Sequence, residues 1–286
     1  LISALQLGHL PVESIQAMLK KKITALAYEF IEDKVGGMPI IRAMSEIAGS
    51  SVMLIAAEYL STANNGKGVI LGGITGVPPT KVVIIGAGTV AEYSARAAIG
   101  MGAEVQIFDN HLYKLRRIKH LLGSQVYTST VDTLTLSESL KTTDVVIGAL
   151  RAEKGRARVV ITEEMVSKMR PDSLIIDLSI DQGGCIETSE ITSLKKPVFR
   201  KYDVIHYCVP NVASRVAHTA TTALSNIFTP TILRAAEEGG VEAMIYSHAW
   251  FMKGVYTIKG SLTNEAVARK FGMKFKNIEL LLAARL

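Results

Sequence analysis

The stretch from Lys81 to Asp109 constrains the fold more than any other part of the chain. An apolar, β-branched segment at residues 82–85 runs directly into Gly-Ala-Gly-Thr-Val-Ala at residues 86–91. A second apolar segment ends in Asp109, about 20 residues beyond the turn. This layout is typical of the strand, turn and helix that open a dinucleotide-binding domain.

Each position of this turn has a physical role in dinucleotide binding. Gly86 permits the tight turn from strand to helix, and Gly88, which has no side chain, lets a pyrophosphate approach the backbone. Ala91 stands where a third glycine often occurs and keeps the helix close to the sheet. The phosphates would then face the N–H groups at the helix N-terminus.

Asp109 predicts which dinucleotide binds. Its carboxylate would accept hydrogen bonds from the adenosine ribose hydroxyls and would repel a 2′-phosphate. We therefore expect NAD(H) as the cofactor rather than NADP(H). The alternative is an ordinary strand-to-helix turn in a doubly wound protein that binds no dinucleotide.

Composition excludes several classes of protein. A chain of 286 residues is long enough for two modest domains, and 48% hydrophobic with 20% charged residues is typical of a globular protein. No uninterrupted apolar run approaches the ~18–20 residues of a membrane span, so we expect no membrane partner. The net charge is +6, but the basic residues are scattered, and we expect no nucleic-acid partner. The chain begins at Leu1 rather than at a methionine, which suggests a fragment.

The two cysteines, Cys185 and Cys208, are too few for a disulfide framework in a chain of this length. Neither lies at a metal-like spacing from a histidine, so no metal site is expected. We expect both to be buried thiols in a protein of the reducing cytoplasm.

Strands and helices alternate between residues 82 and 208. The predicted strands are Val82–Ile85, Glu104–Phe108, Val126–Thr128, Asp144–Ile147, Leu174–Asp177 and Val204–Cys208. Continuous apolar strands with intervening helices indicate a parallel sheet that is covered on both faces. Outside this region we predict a strand at Ile23–Tyr28, helices at Val12–Lys22, Arg42–Leu60 and Arg215–Glu238, the last interrupted at Pro230, and only short helices and loops beyond residue 239.

The predicted fold class is therefore α/β, with a Rossmann-type doubly wound parallel sheet inserted in a second, discontinuous substrate domain. Residues 42–214 would form the NAD-binding domain together with its long linking helix. Residues 1–41 and the helices of residues 215–286 would belong to the substrate domain.

A second informative stretch runs from Leu174 to Cys185, where an apolar strand delivers two acids and a Gly-Gly pair to the edge of the sheet. Asp181 comes just after the strand end, where catalytic groups collect in open α/β folds. It would equally serve an Asx-type turn into Gly183, and Asp177 would serve as a helix or turn cap. Spacing alone leaves the catalytic and the structural interpretations open.

This stretch resembles the signature of the alanine dehydrogenase family. Three other segments resemble it in the same order along the chain: residues 44–49 (Met-Ser-Glu-Ile-Ala-Gly), residues 66–79 and residues 207–211 (Tyr-Cys-Val-Pro-Asn). The related transhydrogenase α subunit shares this layout, but the chain follows the dehydrogenase version at residues 181–185.

The resemblance implies a set of site residues. Ser45 would contact the cofactor phosphates, Lys114 and Leu150 would lie near the adenosine, and Asp181 would be the catalytic acid–base group. The other implied contacts are backbone at the pyrophosphate from Thr89 and Val90, and a border of the nicotinamide formed by Leu178, Ser179, Ile180, Asp181, Val209, Pro210, Asn211 and Val212, with Asn211 orienting the ring.

The resemblance also implies a reaction and an assembly. L-Alanine, NAD and water would give pyruvate, ammonium and NADH in a reversible hydride transfer, and the protein would form a homo-hexamer. The alternatives are a dehydrogenase for another small 2-amino or 2-oxo acid, and a non-catalytic NAD-binding subunit.

The chain departs from the family pattern at its start. The family's substrate-carboxylate arginine and catalytic lysine lie upstream of the linking helix, in a part that has no counterpart here. Its catalytic histidine would align with Leu7, two residues from His9. His9 would replace it only if the register shifts, and is otherwise a loop histidine. The chain is then either a truncated piece of a complete enzyme, or a diverged one in which the basic segment Arg151–Arg158 binds a different acid.

Overall fold

The computed structural model describes residues 1–5, 10–33, 35–123, 126–151 and 156–283. The chain divides into two compact units. The larger unit is Met44–Ala220, and the smaller unit joins residues 1–43 to residues 221–286. The boundaries that the sequence predicted lie at residues 41/42 and 214/215.

The elements are named in chain order. The strands are β1 (Ile2–Ser3), β2 (Ala25–Ala27), β3 (Lys81–Ile85), β4 (Glu104–Phe108), β5 (Val126–Ser129), β6 (Val145–Gly148), β7 (Leu174–Asp177), β8 (Val198–Lys201), β9 (Val204–Tyr207), β10 (Val255–Ile258) and β11 (Ser261–Leu262). The α-helices are α1 (Val12–Lys20), α2 (Pro39–Leu60), α3 (Thr89–Gly100), α4 (Leu112–Leu122), α5 (Thr133–Leu140), α6 (Glu163–Ser167), α7 (Ala217–Glu237), α8 (Val241–Ser247), α9 (Ala249–Met252), α10 (Glu265–Phe271) and α11 (Ile278–Ala283).

The larger unit is built on a seven-stranded sheet with the order β5-β4-β3-β6-β7-β9-β8. Six strands are parallel, and β8 pairs antiparallel with β9 at the edge. The chain order reverses between β3 and β6, which is where open α/β sheets bind ligands beyond the carboxyl ends of their strands. The predicted α/β fold class with its doubly wound sheet is confirmed, whereas β8 was missed.

Alternate residues of the central strands pack on opposite faces of this sheet. Val82 and Ile84 belong to one buried cluster with α2, α3 and α4, while Val83 and Ile85 belong to another with α5 and α6. Helices on both faces explain why the strands are apolar throughout. Because helices cover both faces, a ligand would bind at the carboxyl edge of the sheet, where the loops after the strands lie.

The smaller unit has a four-stranded sheet with the order β1-β2-β10-β11. The sequence placed only short helices and loops beyond residue 239, which is wrong, because β10 and β11 form an antiparallel pair there. β10 also pairs with β2, and Thr257 Oγ1 donates a hydrogen bond to the Ile23 carbonyl across 234 residues of sequence. A partner so distant leaves no local pattern.

Two helices differ from their predicted course. α7 continues through Pro230, so the predicted interruption there is wrong.

α2 begins at Pro39, three residues before its predicted start. Among the described residues it is the one helix that is long and apolar enough, by length and composition, to cross a membrane, although polar residues interrupt its apolar runs. Core helices pass the same test, and six residues in the second half of α2 are buried in the cluster with β3 and α3: Val52, Met53, Ile55, Ala56, Tyr59 and Leu60.

Candidate functional site

The turn after β3 has the geometry of a phosphate-binding loop. Gly86 has φ +108°, and a Cβ there would lie 2.6 Å from the carbonyl oxygen of Ala149, just after β6. At Gly88 the same test finds no atom within 4 Å. The first glycine is therefore required by the fold, whereas the second borders open space.

α3 begins immediately after this open position. Gly88 is its N-cap and has no side chain that could cap the helix. Thr89 and Val90 are the first two helical residues, so their backbone N–H groups lie at the helix N-terminus. The first N–H groups of a helix have no partner within it, and together with the helix dipole they bind anions. Ala91, one turn in, is fully buried, as its predicted packing role requires.

α2 packs against this same end of α3. A Cβ on Gly49 would lie 2.6 Å from the carbonyl oxygen of Val90 and 2.7 Å from Cβ of Tyr93. Ser45 precedes Gly49 by four residues and so lies on the same face of the helix. The structure thus brings Ser45 to the helix face that contacts α3. No pattern in the sequence marks Gly49 as the point where the two helices meet.

Asp109 is buried at the end of β4, with 4% of its surface exposed, and it is already engaged by the chain's own donors. Its Oδ2 accepts a hydrogen bond from the Ala87 N–H at 2.8 Å. Its Oδ1 accepts from the His111 N–H at 2.7 Å and lies 2.9 Å from His111 Nδ1. The acid predicted to bind the ribose therefore also ties the glycine-rich turn to the start of α4.

The two predicted adenosine contacts, Lys114 and Leu150, follow β4 and β6. Lys114 is half-buried in the first turn of α4, with Nζ 5.9 Å from the ring centroid of Tyr113. Leu150 follows β6, and its Cδ2 is 3.3 Å from where a Cβ on Gly86 would be. Leu150 is thereby fixed against the glycine-rich turn.

Asp177, at the end of β7, organises the loop that carries the second motif. It is buried, and it accepts hydrogen bonds from the N–H groups of Ser179 and Cys185 and from the Ser189 hydroxyl at 2.8–3.0 Å. Burial raises the pKa of this carboxyl, and the hydrogen bonds oppose that shift. The Ser179 hydroxyl in turn accepts a hydrogen bond from the Leu150 N–H at 2.9 Å.

Asp181 is exposed in the turn after β7 and reaches the loop after β9. Its two carboxylate oxygens lie 3.2 and 3.3 Å from the Asn211 nitrogen, which donates its N–H to them. Asn211 is exposed with left-handed backbone (φ +52°) and caps a 3₁₀ helix at Val212–Val216. The remaining predicted nicotinamide-border residues lie in the same two loops, with Leu178 and Pro210 half-buried and Ile180, Val209 and Val212 buried.

The basic segment before α6 also reaches this turn. Arg156 Nη2 donates a hydrogen bond to the Gly183 carbonyl at 3.2 Å. Gly183 has φ +93°, and a Cβ on it would lie 2.6 Å from Arg156 Cγ. Residues 152–155 of the predicted basic segment, and both Leu7 and His9, lie outside the described residues.

Both cysteines are free and buried, which confirms the predicted thiols. Burial raises the pKa of Cys208 to about 12 and that of Cys185 well above its usual range. His206 is buried as well, and burial lowers its pKa from 6.5 to about 4. Its Nδ1 donates to the Val204 carbonyl, which leaves Nε2 to accept from the Thr188 hydroxyl at 2.8 Å.

The sequence did not single out Ser189 or His111 as parts of the site, whereas Arg156 belongs to the basic segment that it did identify. Ser189 reaches Asp177 from 12 residues away, and Arg156 reaches Gly183 from 27. No spacing rule covers these separations. The contact of His111 was predictable, because an Asp side chain often accepts a hydrogen bond from the backbone N–H two residues further on, as in an Asx turn.

Comparison with known proteins identifies relatives along most of the chain. Residues 52–265 match the family model described as "Alanine dehydrogenase/PNT, C-terminal domain". Alanine dehydrogenase of Methanococcus maripaludis is 39% identical over 265 residues, which cover 92% of this chain and 71% of that protein. The enzyme of the same name from Mycolicibacterium smegmatis is 38% identical over 93% of this chain and 72% of its own length.

Two solved structures superpose on most of the chain. An L-alanine dehydrogenase superposes with a TM-score of 0.86 at 35% identity, over 91% of this chain and 72% of that structure. A transhydrogenase from Sinorhizobium meliloti superposes with a TM-score of 0.75 at 22% identity, over 93% and 73%, which shows a shared fold.

Proposed function

Because this chain belongs to the alanine dehydrogenase/PNT family, we propose that it is an NAD-dependent oxidoreductase that converts L-alanine and water to pyruvate and ammonium. One observation carries the assignment. The loops after four neighbouring parallel strands contact one another at one edge of the sheet. Gly86 packs against the Ala149 carbonyl, the Leu150 N–H donates to the Ser179 hydroxyl, and the Asn211 N–H donates to the Asp181 carboxylate. The phosphate-binding turn and the candidate acid are thereby fixed on one sheet edge.

The cofactor is proposed to lie along this edge. The open space at Gly88 and the first N–H groups of α3, at Thr89 and Val90, fit a pyrophosphate. Asp109 and Lys114 fit the adenosine end, with NAD(H) preferred because a buried carboxylate repels a 2′-phosphate. The other proposed contacts are Ser45, Gly86, Leu150, Leu178, Ser179, Ile180, Val209, Pro210, Asn211 and Val212.

NAD, when bound, supplies the acceptor for the hydride that leaves the substrate Cα. The residues of the chain position the substrate and move protons. Asp181 is proposed to take up and return a proton at a carboxylate oxygen while the Asn211 N–H holds the carboxylate in place. General acid–base help of this kind contributes about 10²–10⁴-fold to the rate.

The proposed assembly is a homo-hexamer in the cytoplasm. Exposed apolar side chains on α2 and on the connector before β3 support self-association: Leu54, Ile70, Ile74 and Val77. Two buried free thiols are compatible with a reducing compartment. Size-exclusion chromatography with light scattering measures the mass of the assembly directly. A monomeric mass at micromolar protein concentration would contradict the proposed hexamer.

The decisive experiment follows NADH oxidation by pyruvate with and without ammonium, using protein expressed from its complete reading frame. Oxidation that depends on ammonium supports reductive amination and the proposed function. Oxidation of NADH by a different 2-oxo acid, with pyruvate inert, would favour a dehydrogenase of another specificity. Bound NADH with no oxidation by any 2-oxo acid would favour the non-catalytic NAD-binding subunit.

A further inference from the structure

A cavity of about 240 Å³ lies within the smaller unit, formed by the segment after β2, the start of α2, the second half of α7 and the start of α9. Its volume is below the ~300–1,000 Å³ of sites for drug-sized ligands, so it suits a small metabolite. Most of its wall is apolar, and the apolar lining residues are Ile31, Pro39, Ile40, Ile227, Phe228 and Trp250.

Two acids also line the cavity, and they are held differently. Glu32 Oε2 lies 2.6 Å from Lys253 Nζ, so its charge is already paired. Asp33 Oδ1 accepts hydrogen bonds from the N–H groups of Val35 at 3.0 Å and Gly37 at 2.6 Å. These main-chain donors are uncharged, so they position the carboxylate without neutralising it. Asp33 therefore presents a fixed negative charge to the cavity, suited to an ammonium group.

Arg234 supplies the opposite charge from α7. Its Nε lies 3.9 Å from Glu238 Oε1, which is too long for a hydrogen bond. Both carboxylate oxygens of Glu238 instead lie close to His248 Nε2, at 2.9 and 2.7 Å. The side chain of Arg234 is 40% exposed, so a ligand can reach its guanidinium group. A guanidinium binds a carboxylate through two parallel hydrogen bonds, which makes Arg234 suited to the acid group of a ligand.

We propose that this cavity binds an α-amino acid with a large apolar side chain. Such a ligand carries an ammonium group for Asp33, a carboxylate for Arg234 and a hydrocarbon group for the apolar wall. An apolar acid or an apolar amine satisfies only one of the two charges, and the methyl group of alanine leaves most of the wall uncovered. The site goes beyond the proposed function, because Asp181 and the proposed phosphate-binding turn belong to the larger unit.

Trp250 can report binding directly, because it lines the cavity and is the only tryptophan among the 286 residues. The test titrates L-leucine into the protein without NADH and follows tryptophan fluorescence. Three comparison compounds each remove one feature of leucine: isocaproate lacks the ammonium group, isoamylamine lacks the carboxylate, and L-alanine lacks the large side chain. We expect leucine to saturate with a Kd of about 1 mM or below, and each comparison compound to bind at least about tenfold more weakly.

Arg234→Gln removes the positive charge and should weaken leucine binding at least about tenfold, without weakening the binding of isoamylamine, which has no carboxylate. Arg269→Gln is the matched control. Arg269 belongs to the same unit and, like Arg234, pairs with a glutamate four residues away on its own helix, but it is 78% exposed and does not line the cavity. It should leave the affinity for leucine unchanged.

Asp33→Asn tests the other charge. The amide oxygen can still accept from the Val35 and Gly37 N–H groups, so the segment keeps its hydrogen bonds while the negative charge is lost. Leucine binding should weaken at least about tenfold, whereas isocaproate, which has no ammonium group, should bind no more weakly than to the unmodified protein.

Three results would overturn the proposal. The first is the absence of a saturable fluorescence change with leucine up to about 20 mM. The second is an equal affinity for leucine in the unmodified and Arg234→Gln proteins, or an equal affinity of the unmodified protein for leucine and isocaproate. The third is weakened leucine binding in Asp181→Asn, because leucine would then occupy the proposed catalytic site in the larger unit.

Discussion

The carboxylate of Asp181 is held by the backbone N–H of Asn211, at 3.2 and 3.3 Å from its two oxygens. The two residues follow β7 and β9, which are neighbours in the sheet. Because the donor is a main-chain N–H, this contact does not use the side chain of Asn211. The position of the proposed acid is therefore set by the sheet, and its chemistry can be tested separately from its placement.

Replacing Asp181 by Asn is expected to lower kcat by about 10²–10⁴-fold, because the amide cannot take up or release the proton. NADH affinity should stay within about threefold, since the change removes no proposed phosphate contact. Steady-state kinetics and NADH fluorescence measure the two effects.

Asp132→Asn is the matched control. Asp132 is an N-cap that accepts from the Thr135 N–H, and Asn caps helices equally well. It should leave both kcat and NADH affinity unchanged. A kcat for Asp181→Asn within threefold of the unmodified value would remove Asp181 from the proposed mechanism.

Substitutions at Gly86 and Gly88 should separate folding from binding. Gly86→Ala places a Cβ 2.6 Å from the Ala149 carbonyl oxygen at φ +108°, so the free energy of unfolding should fall by at least about 2 kcal/mol. Gly88→Ala meets no protein atom within 4 Å, and because alanine is a poorer N-cap than glycine it should lower the free energy of unfolding by about 1 kcal/mol at most.

Gly88→Ala should instead raise the NADH dissociation constant at least about tenfold, because the methyl group takes space proposed for the pyrophosphate. Urea unfolding and NADH titration give the two quantities. Unchanged NADH affinity in a folded Gly88→Ala protein would mean that the pyrophosphate lies elsewhere.

Gly183→Ala should disturb the turn that carries Asp181. The new Cβ would lie 2.6 Å from Arg156 Cγ at φ +93°, so we expect a loss of about 1–2 kcal/mol of stability from the backbone and about tenfold in kcat from the displaced turn. The double variant with Arg156→Ala should recover part of the kcat, because the clash is relieved.

Gly76→Ala isolates the backbone part of that effect. Gly76 has φ +82°, and a Cβ there would have no atom within 4 Å. The Gly76→Ala protein should therefore lose about as much stability as Gly183→Ala but keep the kcat of the unmodified protein. Equal kcat values for the Gly183 and Gly76 variants would show that the turn tolerates the clash without effect on catalysis.

His206 should make stability depend on pH. Burial lowers its pKa from 6.5 to about 4, so between these values the unfolded state binds a proton that the folded state does not. Its contribution is therefore complete above pH 6.5 and is lost as the pH falls to about 4, amounting to about 3 kcal/mol.

His206→Asn should flatten this part of the pH dependence, measured by urea unfolding at pH 7, 5.5 and 4.5, because Asn does not titrate. The exposed His120, replaced in the same way, should leave the slope unchanged. A slope unaffected by His206→Asn would mean that other groups cause the acid sensitivity.

Local chemistry explains how much of the larger unit could be predicted. β4 and β7 match their predicted bounds, and β3 differs by one residue, because fully buried parallel strands are continuous β-branched runs. The glycine-rich turn was readable because its function needs glycine at fixed positions. The Asp177 hydrogen bonds were anticipated only as a cap, since three of its donors come from a loop that folds back on it.

What could not be predicted depends on contacts between distant residues. β8 is a short edge strand whose pairing with β9 is set by a tight turn with positive φ at Tyr202 and Asp203. The approach of Gly49 to Val90 depends on how two helices cross. A sequence pattern records which faces are apolar but not which partners those faces meet.

The pairing of β2 with β10 has a consequence for synthesis on the ribosome. The chain emerges from its N-terminus, so β2 is complete long before β10, and the Ile23–Thr257 hydrogen bond spans 234 residues. At about 5–20 residues per second, β2 waits about 10–50 s for its neighbour, while every strand of the larger unit is finished in between. Leu26, which is 1% exposed in the finished fold, is without its β10 neighbour during that interval, and it is the kind of segment that chaperones bind.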